Sequence, residues 1–198
     1  MRSTIDKLVS WTGVALAAVL LVAGGLLVWA NTFIGDQVHD QLSMQSITMP
    51  EGDALASLPK ADREALEPFA GSPMDTGPEA RAYADHYILV HMNEASDGQS
   101  YSEVSGQYTQ MTDEQKASEE GQALAGLRQT LFMGNTLRGL LLYGYAFATI
   151  GTIAGIAAIV SFVGAAAILL LVGLGFLHAK RAAATEKAGA PTAVAAHA

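Results

Sequence analysis

Two long stretches without a formal charge constrain this chain more than any other feature. Leu8 to Gly35 holds no Asp, Glu, Lys or Arg, and Gly139 to Ala179 holds none either. In lipid, every backbone donor must be satisfied within its own segment, so stretches of this kind cross a bilayer as helices. The run Val14–Phe33 supplies the roughly 20 apolar residues that span a hydrocarbon core of about 30 Å at 1.5 Å per residue. Trp11 and Trp29 fall near its ends, where amphipathic rings favour the interface. A cleaved signal peptide is the rival reading, but the apolar run exceeds the usual h-region of about 7–15 residues. The expectation is a retained anchor.

The second run is harder to place. Gly139 to Leu177 is thirty-nine residues, which as one helix would measure about 60 Å, twice what a bilayer needs. Either one helix rises out of the membrane with its Gly139–Gly155 part against protein or near the interface, or the stretch folds as a hairpin of two short spans. Charge favours the first. Lys180, Arg181 and Lys187 follow the run, and basic residues near span ends favour the cytoplasm. A hairpin would also need a turn near residue 158, where Ile156-Ala-Ala-Ile-Val160 offers no Pro, Asn or Asp. Gly151-Thr-Ile-Ala-Gly155 is a GxxxG match that lets helix backbones approach closely. With Tyr143, Tyr145 and Phe147 beside them, Gly151 and Gly155 form the candidate partner interface.

Between the runs the charge changes sign. Residues 36–136 hold seventeen of the nineteen acids and five of the eleven bases, while both chain ends are basic. That balance excludes a nucleic-acid partner, which needs clustered Lys and Arg. Cysteine is absent, so there is no disulfide, thiolate metal site or cysteine-linked haem. The acidic segment reads as short helices. Pro50, Pro59, Pro68, Pro73 and Pro78 interrupt its first half, with a short helix expected over Pro59–Leu66. Thr76-Gly-Pro-Glu79 matches a capping box. After it, Ala80, Tyr83, Ala84, Tyr87, Ile88 and His91 share one helical face, predicting a buried tyrosine-rich side with Glu79, Arg81, Asp85 and Glu94 outside it. On that pattern His91 is expected as a hydrogen-bonded core residue. Thr112-Asp-Glu-Gln115 is a second capping box, from which one helix is expected to run without a break into the apolar stretch.

The expected organisation is mainly α: a cytoplasmic head (1–10), a transmembrane helix (11–35) and an acidic extracytoplasmic helical domain (36–136). A long apolar helix or hairpin containing the second span (137–179) comes next, and then a disordered cytoplasmic tail (180–198).

The residues point to no chemistry. His86 and His91 are five apart and diverge by about 140° on a helix. His178, the only histidine of the apolar runs, sits at a span's edge, which suits no axial haem ligand. No charge lies inside a span to carry a proton or ion, and no nucleophile or EF-hand motif is present. The expectation is no catalytic, cofactor or metal site, and hence no enzyme.

One pattern is similar to a known family. The run Gln45-Ser-Ile-Thr-Met-Pro50, then Ala70-Gly71, Thr76 to Asp85, His91, Gly98-Gln-Ser-Tyr101 and Thr136 to Phe147 resembles a family of small actinobacterial membrane proteins, over roughly residues 10–180. Its members are often labelled ring-opening dioxygenases. Such an enzyme's iron needs two histidines and a carboxylate converging, and the sequence offers no such set. The family also resembles an accessory subunit of the respiratory supercomplex that joins cytochrome bcc to cytochrome oxidase. The resemblance therefore implies a cofactor-free accessory or assembly subunit of the plasma (inner) membrane. Its partners would be lipid and the cytochrome bcc and oxidase subunits. A free-standing sensor with a ligand-binding outer domain is the alternative.

Overall fold

The computed structural model describes residues 2–188. Among them the chain is almost wholly helical. Helix α1 runs Arg2–Ser43, α2 Gly52–Ala56, α3 Lys60–Leu66, α4 Gly77–Tyr83, α5 Leu89–Ser96, α6 Tyr101–Gln110, α7 Asp113–Ala117 and α8 Glu119–Ala188. The long helices α1 and α8 are long and apolar enough to cross a membrane. Helix α8 passes through residues 139–177 without a turn. It also continues through Ala182–Ala188, part of the tail expected to lack regular structure. Alanine, the strongest helix former, accounts for that difference. The expectation for residues 189–198 lies outside the described residues.

The chain forms two compact units. The first comprises residues up to Asn31 and from Thr152 onward, and is a pair of antiparallel helical segments. Its register can be read from the small residues. A Cβ at Gly155 would lie 3.0 Å from the Asn31 side chain, one at Gly24 2.9 Å from the Phe162 ring, and one at Gly13 2.5 Å from Val172. Near the end of the pair that holds the start of α1, Ser10 packs on Gly175 and Asp6 faces His178 at 3.8 Å. Small residues thus set the close approach, as in lipid-borne helix pairs. Away from this seam the large side chains point outward: Val22, Trp29, Val163 and Leu170 are each more than 60% exposed.

The second unit is Thr32–Gly151. Its core gathers Met49, Leu66, Met74, Ala80, Val104 and Leu131 from the short helices, the loop after α1 and the start of α8. Leu42 of α1 and Leu141 of α8 are buried in the same cluster. The last part of α1 and the first part of α8 therefore belong to this unit, which begins before residue 36 and ends beyond residue 136. A single bridge joins Thr48 to Pro73, with the Met49 and Met74 amides donating to the carbonyls of Ser72 and Ile47.

Three local expectations are corrected. First, the helix begun at Thr76 is not uniform. A π-turn over Ala84–Ile88 adds a residue to that turn and rotates the helix beyond it. The face predicted to end on His91 passes to Met92, which is buried, and His91 is exposed. The His91 ring lies tilted against Tyr87, centroids 4.4 Å apart, its Nδ1 2.8 Å from the Tyr87 carbonyl.

Second, Glu79 is 8% exposed rather than on the outer face. Its carboxylate accepts from the amides of Asp75 and Thr76 and from the hydroxyls of Thr76 and Ser72, at 2.8–3.0 Å. Burial pushes this carboxyl up. The donors outweigh it, the Asp75 amide first, then the Thr76 hydroxyl, the Ser72 hydroxyl and the Thr76 amide, and hold the group below its ordinary value.

Third, the helix begun at Thr112 ends at Ala117. Ser118 is extended (φ −69°, ψ 163°), and its hydroxyl accepts from the Gly121 amide, so Ser118 caps a new helix whose first residues are Glu119 and Glu120. A side chain at Gly121 would run into the Gln115 carbonyl, so the corner needs glycine.

Candidate functional site

Leu140, Tyr143, Phe147 and Ile150 succeed one another at spacings of three and four, so they form one stripe on α8. The four are 59, 67, 57 and 52% exposed. The helix's other side is covered by its own unit: Leu141 is buried, and Gly77, at the start of α4, sits so close to Ala148 that a side chain there would collide. One face of the 139–151 stretch thus has protein against it and the other does not.

The stripe forms one wall of an open groove of about 930 Å³. The facing wall is the last part of α1, which contributes Phe33, Ile34, Gln37, Val38 and Gln41, and the turn after it, which contributes Met44 and Gln45. Gly144 forms part of the groove, and a Cβ there would meet Leu42 at 3.8 Å, so those two residues stand side by side. A shallow depression continues over Asp40, Ser43 and Met44. No basic residue lines either surface.

Of the five residues expected at a partner interface, Tyr143 and Phe147 lie on this groove. Tyr145 does not. Its hydroxyl accepts from Arg81 at 2.9 Å, and the guanidinium lies 4.9 Å above its ring, so Tyr145 ties α4 to α8 within the unit. Gly151 is buried. Gly155, in the other unit, backs onto Asn31 of the same chain, so the close approach that its small size permits is made internally. Sequence reasoning missed the α1 wall, Phe33 to Gln45, because it placed the end of that helix near residue 35. The signal was there: Val38 and Leu42 continue the apolar spacing past Asp36.

Several polar residues of the second unit pair with one another. Arg138 holds Asp85 at 2.7 Å, Arg81 approaches the same carboxylate at 3.7 Å, and His86 Nδ1 lies 2.8 Å from Asp62. Tyr83 is half-buried against Tyr87; burial, then the charge of Tyr87, pushes its phenol up. No group of three His, Cys, Asp or Glu side chains among the described residues converges to hold a metal ion. No family model, curated protein or solved structure matches this chain.

Proposed function

We propose that the chain crosses the plasma membrane twice and serves as a non-catalytic accessory or assembly subunit of a larger membrane complex. Both basic ends then face the cytoplasm, and the acidic unit faces outward. The observation that carries this reading is the uncovered stripe on α8. The charge-free run of α8 exceeds that of α1 by thirteen residues. Near their inner ends the two runs are level, with Ser10 against Gly175, so the surplus falls at the outer end as residues 139–151. One side of that surplus is buried in the chain's own core, and the other exposes four large apolar side chains in a row. A contiguous apolar patch of this kind marks an interaction surface.

The sequence resemblance names the complex: the supercomplex of cytochrome bcc and cytochrome oxidase. The arginines and histidines of the outer unit named above are engaged in ion pairs and ring contacts. The test is purification of the native protein in mild detergent. Haem absorbance that co-migrates with the chain is the expected result, and a lone small particle without haem would overturn the reading in favour of a free-standing receptor. Topology is tested separately by labelling cysteines placed at Ser57 and Thr192 in intact cells, with only the first expected to react.

A further inference from the structure

We propose that the groove between α1 and α8 receives the outer end of a transmembrane helix of the partner complex, one with an apolar face and Lys or Arg beside its tip. The proposal rests on the accessory-subunit reading and specifies its contact. The level of the groove decides the occupant. Asp36 is the first charge after the α1 span, and a carboxylate marks where hydrocarbon gives way to the headgroup layer. Leu42, six residues on, stands about 9 Å further out, and Gly144 is beside it. The headgroup layer is only about 5–8 Å deep on each side. Tyr143, Leu140 and Met44 therefore stand at or beyond its outer limit, where acyl chains do not reach. Phe33 and Ile150, at the groove's other end, lie at the hydrocarbon edge, where a water-soluble loop does not reach.

An occupant that covers both ends must pass continuously from lipid into water. With Phe33 to Ser43 of α1 along one wall, the path is about 15 Å long. A membrane helix that overshoots the bilayer, as α1 and α8 themselves do, meets that requirement with its backbone satisfied throughout. The row of Gln37, Gln41 and Gln45 offers it amides that both donate and accept. Charge complements the choice. Asp40 adjoins the groove, no basic residue lines it, and the surrounding segment carries seventeen acids against five bases. Basic side chains at the incoming tip fit that field.

The test places a benzophenone amino acid singly at Tyr143, Phe147 or, as a control on a different exposed position, Phe132 (53% exposed), in the full chain within its native membrane. Irradiated adducts are mapped by mass spectrometry. Tyr143 and Phe147 are expected to yield adducts on the outer end of a transmembrane helix whose flanking residues include Lys or Arg, and Phe132 none of them. Asp40→Lys should lower the adduct yield about twofold to fivefold, the scale of an exposed ion pair. Adducts on lipid, on a second copy of this chain or on a soluble loop would overturn the proposal, as would the same adduct from Phe132 or no adduct. Where haem still co-migrates with the chain, any of those outcomes removes the groove assignment and leaves the accessory-subunit reading standing.

Discussion

Replacing Glu79 by Gln tests whether one buried carboxylate organises the start of α4. Four donors converge on it, two amides and two hydroxyls. The amides of Asp75 and Thr76 lie at a helix N-terminus, where orphan donors must be satisfied by a side chain or water. Hydrogen bonds to a charged group contribute about 1.5–3 kcal/mol each, against about 0.5–1.5 for neutral ones. Glutamine can keep most of these contacts but loses the charge, so Glu79→Gln should cost about 1–3 kcal/mol at neutral pH. Hydrogen exchange of the Asp75 and Thr76 amides, with the protein in lipid nanodiscs, should accelerate about tenfold for every 1.4 kcal/mol lost. The pH dependence carries a definite sign. Because the folded carboxyl is held below its ordinary value, its contribution is complete above the unfolded value of about 4.3. It is lost as the pH falls through the lower folded value. The difference between the native protein and Glu79→Gln should therefore shrink on acidification below about pH 4.3. A cost under about 0.5 kcal/mol at pH 7, or a difference unchanged at about pH 3, would refute the argument.

Other consequences rest on single contacts. Gly121→Ala sets a methyl against the Gln115 carbonyl and should destabilise the Ser118 corner by about 1–3 kcal/mol, read as lost amide protection over Asp113–Gln122; unchanged protection would mean that the corner opens freely. Gly71→Ala meets a backbone at φ +71° and should cost about 1 kcal/mol through the left-handed conformation alone, since the nearest atom is the movable end of Glu51; an unchanged thermal midpoint would contradict this. Removing Asp85 leaves Arg138, 29% exposed, without its partner, and Asp85→Ala should lower the thermal midpoint by roughly 4 °C for each of the 1–3 kcal/mol lost. Finally, Ser10→Cys with Gly175→Cys should form a disulfide within one chain under mild oxidation. The Cβ atoms would stand 3.8 Å apart, the mean for natural bridges. Only intermolecular products on a denaturing gel would show that the register of the helix pair is wrong.

Most of the helical plan was legible because long apolar runs and capping boxes leave the backbone few options. The charge-free runs, Pro59 and the Thr76 and Thr112 boxes all mark real helix features. Even α6, not anticipated, had announced itself: Ser100-Tyr-Ser-Glu103 is a capping box, and both of its reciprocal bonds form. What failed was periodicity carried across a defect. A π-turn leaves no reliable mark in composition, and one extra residue at Ala84–Ile88 exchanged His91 for Met92 on the buried face. Burial of Glu79 was equally hidden, because Ser72 and Asp75 reach it from a loop whose path depends on the Thr48–Pro73 bridge. At the candidate site, Tyr143 and Phe147 stand out in the sequence, whereas the signal for the α1 wall, the apolar spacing of Val38 and Leu42, is masked by the charge at Asp36 in a helix that continues to Ser43.

The thirteen-residue surplus of α8 explains why a charge-free run can be longer than any bilayer requires. On the two-span reading proposed above, a helix that leaves lipid ordinarily turns polar at once, as α1 would at Asp36. Helix α8 stays apolar for residues 139–151 because its surroundings there remain partly dry. Leu141 and Leu131 close the core of the outer unit on one side, which accounts for the side facing Gly77 and Leu42. Core packing asks nothing of Leu140, Tyr143, Phe147 and Ile150. Four large apolar side chains at helical spacing, facing outward, three of them past the level of the first charge on the neighbouring helix, would be better replaced by Lys, Glu or Gln in a protein that works alone. Their presence as a stripe opposite a row of glutamines is the feature that a docked helix explains and a solitary anchor does not.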